Sequence, residues 1–163
     1  MKKLLFFLPL FFSLIAFSQN EQLAQFYFEK GDFEKAKVSY EDLLKGQIGN
    51  GNYFQKLIDC YQQLQQFEVA EKAIQERLDK YKQAGLLVEL GYNSQLQKEE
   101  AKAKKQYELA LSRIKKNPNE AYGVATTFER KSLIEYALLS YETALEVDPK
   151  LNFNFQMAML YGQ

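Results

Sequence analysis

The sequence predicts an all-α fold in which antiparallel helix pairs stack one after another as an α-solenoid, about four pairs with one trailing helix. Three observations carry this. Apolar residues recur with the helical period of about 3.6 and nowhere alternate with period two over a useful length. Ala36, Ala70, Ala103 and Ala137 are spaced 34, 33 and 34 residues apart, and each is followed four residues later by a large residue: Tyr40, Ile74, Tyr107 and Tyr141. Only three prolines and eight glycines interrupt 163 residues, so breakers are few. A repeat of about 34 residues is that of a helix–turn–helix unit that cannot bury its apolar face alone.

Residues 1–18 read as an address rather than as part of the fold. Lys2 and Lys3 precede a greasy run from Leu4 to Phe17, and Ala16-Phe17-Ser18 offers small residues at a cleavage site, the three parts of a secretory signal. Those fourteen residues would reach about 21 Å as a helix, short of a hydrocarbon core of roughly 30 Å. Cleavage after Ser18 is expected, leaving a mildly acidic chain with no stable membrane span, exported to the periplasm or secreted.

Four units follow, at approximately 19–50, 51–83, 84–117 and 118–150, with a partial fifth at 151–163. In each, the small residue lets two helices approach and the large one lies a turn further along the same face. The first helix of each unit carries a matching pair: Ala24 with Tyr27, Ile58 with Tyr61, Gly91 with Ser94, and Ala125 with Phe128. Leu43, Ala110 and Ala144 recur late in the second helix. Asp32 is placed to cap the second helix of unit one and Gly46 to end it. Asn117-Pro118-Asn119-Glu120 reads as an N-cap, a first-turn proline and a capping-box glutamate, and Asp148-Pro149 as a second start of that kind. The helix near 99–116 opens on Glu99 and Glu100 and closes on Arg113, Lys115 and Lys116, the order a helix dipole favours, with Glu100 and Lys104 as an i,i+4 pair. The glycine-rich stretch Gly46–Gly51 reads as a turn, since neither a preceding strand nor a following Lys-Ser or Lys-Thr makes it a phosphate loop.

With Tyr27-Phe28-Glu29-Lys30-Gly31-Asp32-Phe33-Glu34-Lys35-Ala36 as its best local match, the chain resembles the tetratricopeptide repeat family over residues 19–163. The resemblance implies a right-handed solenoid of the helix pairs above. Unit two departs from the family pattern at Arg77, where a small residue is usual. Unit three departs at Ser94, Lys98 and Glu100, where an aromatic, a turn glycine and another aromatic are usual.

Composition closes off several kinds of chemistry. Histidine and tryptophan are absent and Cys60 is the only cysteine, which removes Ser-His-Asp triads, Cys-His pairs, His-ligated zinc and internal disulfides. Lys plus Arg and Asp plus Glu both number 21, so there is no basic footprint for nucleic acid. The adjacent acidic pairs Glu41-Asp42 and Glu99-Glu100 point about 100° apart on their helices and form no natural metal pair. Cys60 reads as a small buried packing residue, with a reactive or intermolecular thiol as the other reading. No enzyme, cofactor or metal is expected.

The resemblance places ligands on the concave side, lined by the first helices. By register the candidate residues for a peptide or protein are Gln25 and Phe28, then Asn52, Gln55, Asp59 and Gln62, then Tyr92 and Gln95, then Tyr122, Thr126, Glu129 and Arg130. Amides can donate to and accept from a peptide backbone, and tyrosine gives contact area at little entropic cost. Some relatives grip a C-terminal carboxylate through Lys, Arg and Asn on these helices. Glu21 and Gln25 stand at the corresponding first-unit places, so that clamp is not expected. The trailing helix carries Phe153, Phe155, Met157, Met159, Leu160 and Tyr161 around much of its circumference, a candidate assembly face. The expected function is a non-catalytic adaptor of the cell envelope that binds a protein or peptide. Two alternatives stay open: the N-terminal repeat region of a longer protein, and a structural solenoid that self-associates through its last helix.

Overall fold

The computed structural model describes residues 20–162, all of whose regular elements are helical. The segment read as a secretory signal, 1–18, lies outside the described residues. Residues 20–29 form α1; then come α2 (Phe33–Gly46), α3 (Gly51–Gln63), α4 (Phe67–Tyr81), α5 (Gly85–Leu96), α6 (Glu100–Lys116), a 3-10 turn at Pro118–Glu120, α7 (Ala121–Arg130), α8 (Ile134–Val147) and α9 (Asn154–Tyr161). Among the described residues no helix is long and apolar enough to cross a membrane. The described residues divide into two compact units, one up to Phe67 and one from Glu68 on.

The repeat is written into the backbone. Gly31, Gln65, Lys98 and Ser132, spaced 34, 33 and 34 residues apart, all have positive φ, between 57° and 74°. Each sits in the same turn: Asp32 N–H donates to Tyr27 O (2.9 Å), Gln66 to Tyr61 (2.8 Å), Glu99 to Ser94 (3.0 Å) and Leu133 to Phe128 (3.0 Å). This bond, spanning five residues back, is the Schellman closure of a helix end. The alanines and their large partners all lie inside: Ala36, Ala70, Ala103 and Ala137 are buried, as are Tyr40, Ile74, Tyr107 and Tyr141.

In the first unit α2 packs on α3, and Ala24, Ala36, Tyr40, Leu43, Tyr53, Leu57 and Cys60 make one core with Tyr27, Phe28 and Phe33 against it. Asp32 accepts from Lys35 N–H as the cap of α2, and Asn50 caps α3 by accepting from Asn52 and Tyr53 N–H at 3.0 and 3.1 Å. Cys60 is fully buried, and burial pushes its thiol up to about 12, so it packs as a neutral side chain.

In the second unit neighbouring helices pack in sequence order: α5 with α6, α7 with α8, and α8 with α9; α5 also meets α7 and α6 meets α8. At Gly91 α5 lies close against α6. A Cβ there would run into the Tyr107 ring and lie 3.1 Å from Ala103 O. Tyr107, Phe128 and Tyr136 form an aromatic cluster with centroids 5.0–5.2 Å apart. The helix α4 is sparsely packed, with Ala70 and Ile74 as its buried residues, and Arg77 at the departing position loses hydration, which lowers its pKa.

Two local expectations came out differently. Glu120 does not close a capping box: its carboxylate accepts from Arg113 Nη2 at 3.2 Å and from Asn117 Nδ2 at 3.3 Å, and Pro118–Glu120 form a 3-10 turn ahead of α7. Asp148-Pro149 does not start α9, because Asp148 Oδ1 accepts from Lys150 N–H in a local turn and the helix begins at Asn154. The ion pair beside Lys104 runs forward to Glu108 at 3.9 Å.

Candidate functional site: a groove between the first two leading helices

In the first unit α1 and α3 leave a groove of about 440 Å³ between them. Glu21, Gln22, Gln25, Phe26 and Glu29 form the α1 wall; Asn52, Tyr53 and Lys56 form the α3 wall; Tyr40 of α2 lies at the bottom. Local sequence explains the walls. Glu21, Gln25 and Glu29 recur every four residues and so share one face of α1. The Asn50 cap fixes where α3 begins and therefore where Asn52, Tyr53 and Lys56 stand.

The polar groups are tied to one another from below. Tyr40 is buried, and its hydroxyl donates to Gln25 Oε1 at 3.0 Å; Gln25 Nε2 then donates to Glu29 Oε1 at 2.8 Å. The Tyr53 hydroxyl donates to Glu21. Burial is the first cause of the raised Tyr40 pKa, pushed up to about 12, and the charges of Glu21 and Glu29 add to it. Both hydroxyls therefore stay protonated and donate. Lys56 holds its ammonium 4.0 Å from the Phe28 ring centroid, and Phe28 in turn packs edge-on against Phe33 and Tyr40. Such an arrangement can bind and orient a polar chain.

Of the residues expected from register, Gln25 and Asn52 line this groove. Phe28 stands behind it under Lys56, Gln55 donates to Asp59 at 3.2 Å along α3, and Gln62 is buried. In the second unit, Tyr92 lies 4.8 Å beneath the Lys131 ammonium, and Gln95 accepts from the Tyr107 hydroxyl at 2.8 Å. Tyr122 is exposed, Thr126 donates to Tyr122 O at 2.9 Å, and Glu129 is half-buried. Arg130 reaches Glu89 at 3.4 Å. In α9, Leu160 is buried and Phe153 packs on Tyr141 at 4.7 Å, with Met157 half-buried; Phe155, Met159 and Tyr161 are exposed. The named assembly face is thus split between two sides of the helix.

Sequence reasoning did not single out Gln22, Phe26, Glu29, Tyr53 or Lys56 as binding residues. The four-residue spacing of Glu21, Gln25 and Glu29 was the available signal. It also missed Glu89, whose side chain is 2% exposed and meets both Arg130 and Lys131. Among the described residues no three Cys, Asp or Glu side chains gather as a metal-binding group.

No family model matches the chain, and no curated protein matches it. Among solved structures the chain is similar to one described as the crystal structure of MamA protein, at 18% identity over 90% of this chain and 81% of that one, with a TM-score of 0.49.

Proposed function

We propose that this protein is a non-catalytic, protein-binding scaffold of the tetratricopeptide repeat kind, exported to the cell envelope, which holds a peptide segment of a partner in the α1–α3 groove. The observation that carries the reading is the groove itself: about 440 Å³ between two leading helices, walled by amides, carboxylates and aromatic rings tied to the buried Tyr40. Pockets of this size take a few side chains rather than a folded surface. The 34-residue repeat of buried alanines and left-handed turns supports the family assignment, and the signal-like 1–18 segment supports export.

Photo-crosslinking tests the site. A photoreactive residue at Gln22 or Asn52 is expected to capture a partner, and one at exposed Val38 on α2 to capture none. Equal labelling from all three positions would remove the groove from the proposal. Export is tested separately by the mass of the mature chain, expected to start at Gln19. Exposed Phe155, Met159 and Tyr161 favour a second reading, self-association through α9. Light scattering checks it: Phe155→Asp with Met159→Asp should abolish any oligomer.

A further inference from the structure

We propose that the α1–α3 groove is selective for a basic segment, an extended peptide of a partner protein carrying arginine side chains. The proposal rests on the peptide-groove reading above and adds the partner's chemistry. Glu21 and Glu29 stand eight residues apart on one face of α1, about 12 Å along the axis. Each is held by a neutral donor, Glu21 by the Tyr53 hydroxyl and Glu29 by Gln25 Nε2 at 2.8 Å. Gln25 is itself fixed by the buried Tyr40 hydroxyl at 3.0 Å. A carboxylate offers about four lone-pair sites, so one neutral donor orients it without consuming its capacity for a cation. Two carboxylates therefore line the groove with one lining ammonium, Lys56, which sits over the Phe28 ring at 4.0 Å, while Lys30 stands outside the lining over Phe26.

The aromatic lining points the same way. Phe26 is half exposed on the α1 wall between Glu21 and Glu29. Lys30 already places its ammonium 5.8 Å from the Phe26 ring centroid, so both Phe26 and Phe28 serve as platforms for cations in this structure. An arginine uses such a wall fully: its stem lies on the ring while its planar head reaches a carboxylate in a two-pronged contact. An acidic segment would meet two like charges. An apolar one would strip water from Glu21 and Glu29 and give nothing back.

The test uses the mature chain and three fluorescent Gly-Ser peptides, with Arg, Gln or Glu at alternate positions, followed by anisotropy at low salt. The Arg peptide is expected to bind tightest and to weaken with added salt. The double variant Glu21→Gln with Glu29→Gln should weaken it about tenfold, the sum of two partly exposed charge pairs. Glu108→Gln on α6 should leave it unchanged. Phe26→Ala with Asn52→Ala separates the two layers of the idea. If the Gln or Glu peptide binds as tightly as the Arg peptide and is lost in that variant, the groove takes peptides but the basic assignment is overturned. If no peptide responds to that variant, the peptide-groove reading itself fails.

Discussion

The two leading-helix pairs, α1 with α3 and α5 with α7, occupy equivalent places in the repeat and end in opposite states. The register that places Lys56 on α3 places Gly123 on α7. Lys56 and Asn52 wall an open groove. In the second pair the tight residue is Gly85, which lets α5 close onto the α7 backbone: a Cβ on Gly85 would lie 3.1 Å from Gly123 O and 2.9 Å from Thr127 Oγ1. The closed joint is then filled by Glu89, with its oxygens 3.4 Å from Arg130 and 3.2 Å from Lys131. One scaffold thus holds an open groove in the first pair and, where Gly85 meets the α7 backbone, a close, charged joint in the second. Close approach in the second pair is set by the missing side chain at Gly85, not by the helical frame.

Alkali should produce the largest effect, and it sharpens the contrast. Cys60 is pushed from 9.0 up to about 12, and Tyr40 and Tyr141 from 10.0 to about 12, each chiefly by burial. Burial also raises Tyr61 and Tyr107. The folded chain therefore holds these protons longer than the unfolded one. Their stabilisation is complete below about pH 9 and is lost progressively as the pH climbs from 9 to 12. The loss begins in the unit that carries the groove, because the unfolded thiol of Cys60, at 9.0, gives up its proton before any unfolded tyrosine does. Helical ellipticity against pH is expected to fall from about pH 9, and Cys60→Ala should move the onset towards pH 10. Resistance to urea that is as high at pH 11 as at pH 7 would contradict this.

Next in size is the charged joint. Glu89→Ala takes the carboxylate from the buried Lys131 and from the half-exposed Arg130, and stranding a buried cation in this way costs about 3–5 kcal/mol. Urea denaturation is expected to show a loss on that scale. The corresponding change in the open groove, Gln22→Ala, touches an exposed side chain and should cost less than about 0.5 kcal/mol. A Glu89→Ala variant as stable as the wild type would mean that the carboxylate does not hold α5 to α7.

Much of this frame is legible in the sequence, and the reason is physical. Ala36, Ala103 and Ala137 sit at close helix crossings, where volume is constrained, so burial leaves a periodic mark. Helix starts are legible where a short polar side chain does the capping, as at Asp32. They are illegible where a distant residue competes, as Arg113 does for Glu120. The groove is half legible. Register places Gln25 and Asn52 on the leading helices, yet only packing reveals that Tyr40 captures Gln25 and so converts it from a free amide into the support of Glu29. Glu89 could not be seen, because a carboxylate in a helix reads as solvated surface until Gly85 brings α5 onto α7 beside it. Lys98 stands where a turn glycine is usual, and it adopts the same left-handed backbone as Gly31, so the closure tolerates a side chain at the cost of strain.

A pair of glycine substitutions separates close approach from backbone freedom. Gly85→Ala drives a methyl towards the Gly123 carbonyl and should destabilise by about 1–3 kcal/mol, as overpacking does. Gly123→Ala meets nothing within 4 Å and should stabilise by about 0.5–1 kcal/mol through helix propensity alone. Opposite signs in thermal unfolding are the expected result. If both destabilise, α7 is the tighter partner and the account of the closed joint is wrong.

The smallest effects belong to the turns, and they test whether the units share one closure. Gly31 has φ +74°, whereas Gln65, Lys98 and Ser132 hold φ of 57°, 63° and 58° with side chains attached. A left-handed backbone costs an ordinary residue roughly 1–2 kcal/mol, and the extra freedom of an unfolded glycine takes back part of that gain. Lys98→Gly and Ser132→Gly should therefore each stabilise by about 0.5–1 kcal/mol, additively, since the turns are far apart in sequence and share no hydrogen bond. Gly31→Ala should lose about 1 kcal/mol for the same reason with the sign reversed. The midpoint of urea unfolding reads all three. If Gly31→Ala costs nothing while Lys98→Gly gains, the turns are not equivalent, and the equivalence of the α1–α3 and α5–α7 pairs falls with them.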